Sequence, residues 1–551
     1  MDAVSPTNAA FRRWLLFAFL LIAVWSLALT ASQHFSIPAE ENYRTKDLFG
    51  RFFLSFFLLA SFVLLFPRPV VLGLMVFSLF FQWGTLYYCS YFGAAPEIMI
   101  LWSNASEGFA VGDAVWELLP WRYLVFLGPV FALQVVLLYR HVPPKSFYHR
   151  RLVLAITCVT CYGALLGIDN ISDRGLLKYG RGHTIHYTNG DRCSKFGFLP
   201  VFVRDIVLHH TRFDDLRVQA LEKESQRSFG LQAEHREFSF DNIIIMQVES
   251  LDNAVLDHHV NGTPVVPFLS SLRKNSLTYR IWANHRYGSA TADFEMLNGI
   301  PPLDGFFNYQ VPDLPYTTSL PRFFHERGYE TFCFHGVHGS FYNRRTAFTA
   351  MGFDRLVFRD EIVAAIRNGT YPLQDEFPEE KLNRRLNDKW LRDDILFRTV
   401  LREIRSPSER NRFFFIITVT SHSPYNIHDL DDKEKLIPNG TSMPDRYVNS
   451  IHAVDGWLHS FYEGLPSGTL LVIYGDHTPG FQRGETFVSD IEKRREFVPC
   501  LIHLVGENLA TFQNVPRQPQ DTTLSVRDVH SFLRDFTENR PHLAGTLPLV
   551  R

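Results

Sequence analysis

Five long apolar stretches without a charged residue lie in the first third of this 551-residue chain and limit what that third can fold into. They are Trp14–Thr30, Phe52–Phe66, Val70–Phe92, Tyr123–Tyr139 and Leu152–Ile168. A helix that crosses a bilayer needs about 20 apolar residues, and flanking basic side chains can extend a shorter one to the interface. A cleaved signal peptide would explain the first stretch but not the four that follow. The stretches therefore predict an N-terminal five-helix transmembrane bundle.

The basic residues between these stretches predict how the bundle is oriented, because cytoplasmic loops carry the excess of Lys and Arg. The loops at the predicted cytoplasmic side contain Arg12, Arg13, Arg68, Arg140, Lys145, Arg150 and Arg151. The loop between the third and fourth stretches instead carries four acidic residues and no basic residue before Arg122. The N-terminus is thus expected in the cytoplasm, and five crossings place everything beyond Asp169 outside it.

This reading divides the chain into a transmembrane domain (1–169), a juxtamembrane connector (170–236) and an extracytoplasmic domain (237–551). In the connector, Val201–Glu224 is predicted to be a helix that lies on the membrane surface or against the soluble domain. A plain linker helix is an equally open interpretation.

The soluble domain alternates apolar runs of strand length with helical patterns, which is typical of an α/β fold with a mostly parallel central sheet. The predicted strands are Ile243–Val248, Glu330–Phe334, Phe413–Val419 and Leu470–Tyr474. The predicted helices are Pro267–Lys274, Thr318–Arg327, Asp388–Arg405, Asp445–Leu465 and Val526–Thr537.

Each predicted strand ends directly before residues that can bind a metal ion or exchange a proton. These residues are Glu249 and Ser250, then His335 and His338, then Thr420, Ser421 and His422, and finally Asp476 and His477. In open α/β sheets the ligand site lies beyond the carboxyl ends of the strands, so these residues are expected to converge. Two carboxylates, an imidazole and a hydroxyl are what one divalent cation needs to activate an alcohol nucleophile. The sequence therefore predicts an enzyme that acts on phosphate or sulfate esters.

The candidate for that hydroxyl is Thr291, in the segment GSATADFEML just ahead of a helical pattern. The residue could simply be a helix N-cap, with Glu295 near the first turn. The functional interpretation uses the same position, because a helix N-terminus offers free N–H groups and a positive dipole to a phosphate group.

These motifs resemble the alkaline phosphatase superfamily, and in particular its lipoteichoic acid synthase and phosphoglycerol transferase branch. The resemblance rests on the segments NIIIMQVES, YGSATADFEM, HGVHGSFYNRR, VTSHSPY and VIYGDH, in that order. It implies an alkaline-phosphatase-like catalytic domain with Thr291 as the nucleophile. The implied metal ligands are Glu249, Thr291, Asp476 and His477, and the implied substrate-binding residues are Arg344, His422, His335 and Tyr342.

Three positions depart from the pattern of that branch and bear on the substrate head group. Tyr342 stands where the family often has Trp, and Val337 stands where some members have an acidic residue. Ala290 and Ala292 flank Thr291, where Lys and Ser are common. The chemistry is expected to be retained, while contacts to the head group are expected to differ.

The resemblance implies a membrane-anchored, metal-dependent phosphotransferase of a bacterial inner membrane. It would move glycerophosphate from phosphatidylglycerol to an envelope glycan or a glycerophosphate polymer through a phospho-Thr291 intermediate. The expected cofactor is one divalent cation, Mn²⁺ first, with Mg²⁺ or Zn²⁺ as alternatives.

Three alternatives stay open at this point. A phosphoethanolamine transferase would tend to have more cysteines outside the membrane. A sulfatase would need a C-x-P-x-R segment, which does not follow Cys193, Cys333 or Cys500. A non-catalytic envelope protein is disfavoured by the intact set of ligands. A nucleic-acid partner has no support, because the net charge is −2 and there is no basic stripe.

Overall fold

The computed structural model describes residues 6–36, 45–92, 121–140, 148–171, 193, 195–209, 240–283, 288–301, 309, 316–374, 376–425, 427, 430–479, 496–507 and 524–537. These residues form two compact units, one up to residue 209 and the other from residue 240. The boundaries proposed for the connector stay predictions.

The first unit contains five long helices where the five apolar stretches lie. They are α1 (Pro6–Ser36), α2 (Thr45–Leu65), α3 (Arg68–Phe92), α4 (Trp121–Arg140) and α5 (Tyr148–Ile171). Four of the helices are long and apolar enough to cross a membrane, and the apolar part of α4, Leu124–Arg140, is shorter. The prediction of five N-terminal apolar helices is confirmed, whereas their orientation stays a prediction.

The helices of this unit are held together by an apolar interior. Trp25 of α1 packs with Leu59 and Val63 of α2, Met75 of α3 and Leu138 of α4 in one cluster of buried side chains. Close packing of this kind is what drives association of helices in lipid, where burial from water no longer contributes.

A sixth helix, α6 (Phe198–His209), belongs to the same unit. Its residues Phe198 and Phe202 lie edge-on to Phe81 of α3, at ring-centroid distances of 6.5 and 5.7 Å. This is the start of the helix predicted at Val201–Glu224, and residues 210–224 lie outside the described part of the chain. The described part therefore packs on the membrane helices rather than acting as a free linker.

The second unit is built on an eight-stranded sheet. Its strands in the described residues are β1 (Asn242–Val248), β2 (Leu277–Ala283), β3 (Glu330–His335), β4 (Arg355–Val357), β5 (Arg412–Ile417), β6 (Leu470–Gly475), β7 (Glu496–Leu504) and β8 (Leu524–Ser525). Their order is β8-β2-β7-β6-β1-β5-β3-β4. Only β7 runs antiparallel to its neighbours β2 and β6. All residues of β1 and β6 are buried, as expected for strands of a parallel sheet covered on both faces. The predicted α/β fold with a mostly parallel sheet is confirmed.

The described helices of this unit lie between the strands along the chain. They are α7 (Pro267–Leu272), α8 (Ser289–Asn298), α9 (Leu320–His325), α10 (Arg344–Met351), α11 (Arg359–Arg367), α12 (Glu379–Asn387), α13 (Asp393–Arg405), α14 (Met443–Glu463) and α15 (Val526–Thr537). The predicted helix Asp388–Arg405 starts only at Asp393, because Asp388 and Arg392 have extended backbone angles.

The predicted strand Phe413–Val419 ends earlier, at Ile417, for a related reason. The backbone N–H groups of Val419 and Thr420 donate to the Asp393 carboxylate, at 2.9 and 2.8 Å, and so leave the sheet. A buried carboxylate at the start of α13 thus sets where both α13 and the loop after β5 begin.

Candidate metal and nucleophile site

The parallel pairing of β1 and β6 brings three of the predicted ligands together at one edge of the sheet. Val248 lies opposite Gly475 in the register, so the next residues, Glu249 and Asp476, emerge side by side. One ligand atom each of Glu249, Asp476 and His477 lies within 4.8 Å of the others. All three side chains are buried, with at most 3% exposure. The strand ends therefore form a compact cluster, called here the ligand cluster.

The backbone around the ligand cluster is shaped to hold the carboxylates. Ser250 has a left-handed φ of 55°. In this conformation its N–H donates to Asp476 Oδ1 at 2.8 Å and its hydroxyl donates to Glu249 Oε1 at 2.9 Å. A side chain at Gly475 would meet the carbonyl oxygen of Leu251, because an added Cβ would lie 2.2 Å from it. A strained backbone at this point is typical of a site whose geometry is functionally constrained.

His477 presents its Nε2 atom to the two carboxylates. Its Nδ1 lies 2.9 Å from the carbonyl oxygen of Thr478, the contact that metal-binding histidines commonly make with the nitrogen that does not bind. Nε2 is 3.3 Å from Glu249 Oε1 and 3.6 Å from Asp476 Oδ2. The orientation leaves Nε2 as the ligand atom.

The charges within the ligand cluster shift the pKa values of its members. Burial would raise the pKa of Glu249, but the neighbouring His477 and His422 hold it below its usual range. Burial and the charge of Glu249 raise the pKa of Asp476 to about 7. Burial would lower the pKa of His477, yet Asp476 and Glu249 raise it to about 10. A proton on His477 thus balances the charge of the two carboxylates, which a divalent cation would balance in its place.

The donor set suits one divalent cation. Asp476 Oδ1 accepts hydrogen bonds from the N–H groups of Ser250 and His477, both at 2.8 Å. Asp476 Oδ2 is buried and accepts none from the residues that the structure describes. Two carboxylates and one imidazole match the preferences of Mn²⁺ and Zn²⁺, and with oxygen ligands added also those of Mg²⁺. The identity of the ion is not set by these ligands.

Thr291 lies in the first turn of α8 and is 1% exposed. The alternative that Thr291 is the helix N-cap is wrong, because the cap is Gly288, whose φ of 63° and ψ of −153° suit glycine. The helix start is tied to the ligand cluster, since the Ser289 hydroxyl donates to Glu249 Oε2 at 2.9 Å. The first-turn N–H groups of α8, which have no partner within the helix, are therefore held near the cluster.

Arg344 lies in a second buried group of charges, called here the arginine cluster. Its Nε donates to Asp293 Oδ2 at 2.8 Å, and its Nη1 is 3.4 Å from His335 Nε2. Arg344 Nη2 is buried and donates to no acceptor in the described part of the chain. Asp293, which also accepts from the hydroxyl of Tyr309, follows Thr291 by two residues on α8. The guanidinium is thus fixed in place with one N–H-bearing nitrogen remaining for an anion.

His335 is placed to orient Arg344 rather than to move protons. Its Nδ1 lies 2.9 Å from the carbonyl oxygen of Ile417, so Nε2 faces the guanidinium. Burial and the charge of Arg344 lower the pKa of His335 to about 3. The imidazole is therefore neutral at physiological pH, with Nε2 as an acceptor.

His422 is the more suitable group for proton exchange. It is partly exposed, its ring lies edge-on to Trp390 at a centroid distance of 4.7 Å, and its Nδ1 is 2.5 Å from the carbonyl oxygen of Ser423. Burial lowers the pKa of His422, against the opposing charge of Glu249. The loop that carries it is fixed to Asp393 and, through the Ser421 hydroxyl, to the carbonyl oxygen of Glu249 at 2.6 Å.

Of two further predicted residues, one lies beside the arginine cluster and the other lies outside the site. Tyr342 has a left-handed φ of 55°, and its ring centroid is 5.1 Å from Arg344 Cζ. His338, the other histidine after β3, does not join the site but pairs with Asp360 at 2.8 Å on the surface.

Four residues that contact the site were missed in the sequence: Ser289, Asp293, Trp390 and Asp393. Asp293 stands two residues after Thr291, which is the one local signal that could have pointed to it. The others act through contacts between residues far apart in the chain.

The sequence of the second unit identifies the family to which the chain belongs. The chain matches the sulfatase family over residues 241–529, more than half of its length, and it belongs to that family. It is 26% identical to lipoteichoic acid synthase 1 of Bacillus subtilis (strain 168) over 296 residues. That alignment covers 50% of this chain and 40% of the synthase.

Two solved structures are similar. One is the lipoteichoic acid synthase LtaP from Listeria monocytogenes, with 18% identity, a TM-score of 0.42, and coverage of 59% of this chain and 80% of that chain. The other is the Streptococcus pyogenes phosphoglycerol transferase GacH in complex with sn-glycerol-1-phosphate, with 16% identity, a TM-score of 0.41, and coverage of 61% and 85%. The resemblance to the lipoteichoic acid synthase branch is confirmed by the sequence relatives.

Proposed function

We propose that this chain is a membrane-anchored phosphoglycerol transferase. It moves glycerophosphate from phosphatidylglycerol to an envelope glycan or polymer through a phospho-Thr291 intermediate. The observation that carries the proposal is the buried ligand cluster at the ends of β1 and β6, with the start of α8 anchored to it through Ser289 and Glu249. The sequence relatives named lipoteichoic acid synthases support a glycerophosphate substrate. We place the enzyme in a bacterial inner membrane, with its N-terminus in the cytoplasm and its catalytic domain outside.

In the first step, the Thr291 hydroxyl oxygen attacks the phosphorus of phosphatidylglycerol. Glu249, Asp476, His477 and Thr291 would hold a divalent cation, whose Lewis acidity would lower the pKa of this hydroxyl. The bond from phosphorus to the diacylglycerol oxygen breaks, and diacylglycerol leaves with a proton. Glycerophosphate remains as an ester on Thr291.

The surrounding groups stabilise the charge that develops on the phosphate oxygens. The first-turn N–H groups of α8 provide donors and the positive end of the helix dipole. Arg344 Nη2, which is buried and donates to no protein acceptor, provides a charge-assisted hydrogen bond. The contact of Arg344 with Asp293 keeps this donor in position before the substrate arrives.

In the second step, an acceptor hydroxyl attacks the same phosphorus and Thr291 leaves as the free alcohol. Neutral His422 accepts the proton of the acceptor, because its pKa is held below the usual value, and passes this proton to the Thr291 oxygen as the bond from that oxygen to phosphorus breaks. Glycerophosphate is thereby transferred, and the enzyme returns to its initial state.

The test uses purified full-length protein with Mn²⁺ and phosphatidylglycerol that carries a fluorescent acyl chain. We expect metal-dependent release of labelled diacylglycerol that is absent in Thr291→Ala. The matched control is Thr349→Ala, which removes an exposed hydroxyl on α10 and is expected to retain release.

Two parallel substrates distinguish the alternatives. Release from phosphatidylethanolamine but not from phosphatidylglycerol would assign the chain to phosphoethanolamine transfer. Hydrolysis of an aryl sulfate would assign it to sulfate esters, although Thr291 cannot be converted into the formylglycine that sulfatases generate from cysteine. No release from any substrate would contradict the proposed catalytic function.

A further inference from the structure

Three aromatic side chains of the second unit form a series of ring contacts that ends at His422. The ring centroid of Trp390 lies 4.7 Å from that of His422 and 6.4 Å from that of Phe341. Phe341 in turn lies 4.6 Å from Tyr342, again measured between ring centroids. All four side chains are half-buried. The residues Phe341, Tyr342 and Trp390 are called here the aromatic wall.

The segment that carries Trp390 is fixed to the loops after two neighbouring strands. The N–H group of Leu391 donates to the carbonyl oxygen of Gly336, directly after β3, at 2.7 Å. The approach is close, because a Cβ at Gly336 would lie 2.3 Å from the carbonyl oxygen of Leu391. The N–H group of Asp393 donates to Thr420 Oγ1, in the loop after β5, at 3.0 Å. Trp390 is therefore held at the edge of the sheet where the strands β3 and β5 end.

A strained turn holds the other two rings. Tyr342 and Asn343 both have a left-handed φ, of 55° and 57°. This conformation is unfavourable for residues other than glycine and persists only where the surrounding structure enforces it. Here the N–H group of Asn343 donates to the carbonyl oxygen of Ser340 at 2.8 Å, and its Nδ2 donates to the carbonyl oxygen of Tyr309 at 2.6 Å. Such enforced strain is typical of a turn whose side chains have a function.

The charges beside the wall restrict which ligand it can bind. Lys389 Nζ lies 5.3 Å from the ring centroid of Trp390, and Arg344 Cζ lies 5.1 Å from that of Tyr342. Both rings already interact with a cation, so a second cation such as ethanolamine would be repelled. A neutral sugar ring fits better, because its C–H groups carry partial positive charge and stack on the negative face of an aromatic ring. An open-chain glycerol unit has no such flat face, and fixing its rotatable bonds costs conformational entropy.

We propose that Trp390 and its neighbours in the aromatic wall bind a pyranose ring of the acceptor, so that the acceptor is a glycan rather than a glycerophosphate polymer. The wall acts in the second step of the proposed function, on which this inference rests. The distance of 4.7 Å between Trp390 and His422 is comparable with the width of a pyranose ring, so a sugar on Trp390 presents a hydroxyl to His422. His422 Nδ1 lies 2.5 Å from the carbonyl oxygen of Ser423, which leaves Nε2 for that hydroxyl.

The wall thereby orients the acceptor for its attack on the intermediate. The sugar hydroxyl oxygen forms a bond to phosphorus, and the bond from phosphorus to the Thr291 oxygen breaks. The proton of the sugar hydroxyl passes through His422 Nε2 to the Thr291 oxygen. The wall supplies position only and takes no part in the first step, in which diacylglycerol leaves.

The test compares two acceptors with purified full-length protein, Mn²⁺ and phosphatidylglycerol that carries a radiolabel in its head-group glycerol. One acceptor is methyl β-D-glucopyranoside, and the other is glycerol, which has primary hydroxyls but no ring. We expect kcat/KM to be about tenfold higher for the glucoside. Trp390→Ala should raise KM for the glucoside about tenfold, and Trp390→Phe should retain most of the preference. Transfer to glycerol, and release of diacylglycerol without an acceptor, should stay unchanged in both variants.

A second measurement detects binding of the sugar without catalysis. Saturation-transfer NMR uses the Thr291→Ala protein in EDTA, in a detergent without a sugar head group, with methyl β-D-glucopyranoside as the ligand. We expect transfer from aromatic protons to the ring protons of the glucoside, and its loss when Trp390→Ala is added. The matched control is Trp457→Ala, which removes a half-buried tryptophan of α14 whose Nε1 donates to Glu434 Oε1 at 3.0 Å. This control is expected to retain both the transfer signal and the preference for the glucoside.

The outcomes separate this inference from the proposed function. Absence of diacylglycerol release from the wild-type protein would overturn the proposed function and this inference with it. Normal release with equal use of glycerol and the glucoside would overturn this inference alone. The same holds if Trp390→Ala lowers transfer to both acceptors equally, or if it lowers release without an acceptor. Preference for sn-glycerol phosphate over the glucoside would instead assign the acceptor to a glycerophosphate polymer and overturn the inference.

Discussion

The two buried charge clusters of the second unit are built on opposite principles. The ligand cluster places two carboxylates, Glu249 and Asp476, against a single imidazole, and no described residue donates a hydrogen bond to Asp476 Oδ2. The arginine cluster pairs Arg344 with Asp293 at 2.8 Å, so its charges balance within the protein. The first cluster needs an added positive charge, whereas the second is complete and needs only an anion for Arg344 Nη2.

This difference teaches what each cluster contributes. Two buried like charges are unfavourable unless a cation or a proton balances them. The ligand cluster therefore lowers the stability of the fold, and a bound cation would restore it. The self-balanced arginine cluster contributes to the fold and keeps a phosphate donor in place. Ser289 and Asp293, two residues on either side of Thr291, contact one cluster each. Thr291 therefore lies on the segment that joins the ligand cluster to the arginine cluster.

The largest effect is expected from breaking the ligand cluster. Asp476→Asn should reduce diacylglycerol release by about 10³-fold or more, because the hydroxyl of Thr291 is no longer activated. The metal-free protein should not be destabilised, since one of two like charges is removed. Release assays and thermal unfolding in EDTA check both parts, and a large loss of stability in EDTA would contradict the comparison.

Breaking the arginine cluster should lower the stability of the protein and leave cation binding intact, the reverse of what is expected for Asp476→Asn. Asp293→Asn leaves the buried Arg344 uncompensated and is expected to destabilise the protein by about 3 kcal/mol. Stabilisation by Mn²⁺ should be retained, because the ligand cluster is intact. Thermal unfolding with and without Mn²⁺ tests this. Loss of the Mn²⁺ response in Asp293→Asn would show that the clusters are not separate.

Adding the cation should stabilise the wild-type protein by mass action. At about 100 times the dissociation constant, a ligand that binds only the folded state contributes about 2.7 kcal/mol. Glu249→Gln should remove this gain, whereas Glu463→Gln, at the exposed C-terminal end of α14, should retain it. An equal Mn²⁺ response in both variants would place the cation elsewhere.

The last expected effect concerns a buried carboxylate that belongs to neither cluster. Asp455 of α14 accepts from the N–H groups of Phe268 and Leu269 at 2.8 and 2.9 Å, and burial raises its pKa to about 7. Because the folded pKa is raised, the proton favours the folded state, and this stability is present below about pH 4 and lost as the pH rises to about 7. Asp455→Asn should remove a slope of at most about 1.4 kcal/mol per pH unit in that window. The unfolding midpoint of both proteins between pH 4 and 8 checks this, and parallel curves would contradict it.

The central strands and the ligand cluster could be predicted from the sequence because their signal is local. The apolar runs of β1 and β6 stop at Glu249 and Asp476, and the parallel pairing of the two strands then places these residues side by side. Strand β2 was missed because alternate residues such as Thr278 and Arg280 are exposed, so it has no continuous apolar run. Strand β7 was missed because it contains Pro499 and starts at Glu496.

The partners of the site residues could not be predicted, since they come from distant parts of the chain. Arg344 and Asp293 are 51 residues apart. Asp393, which ends the strand β5 and fixes the loop of His422, was assigned to the middle of a helix. That helix in fact starts at Asp393, because the preceding backbone at Arg392 is extended. A side chain that caps a remote loop leaves no periodic signal in its own segment.

The most direct test of the account is a search for the covalent intermediate. Purified protein is mixed with Mn²⁺ and phosphatidylglycerol without an acceptor, quenched in acid and analysed by mass spectrometry of the intact chain and its peptides. The account predicts one added glycerophosphate group on Thr291, absent in EDTA and in Asp476→Asn. Release of diacylglycerol with the group on another residue, or with no modified protein at all, would contradict it.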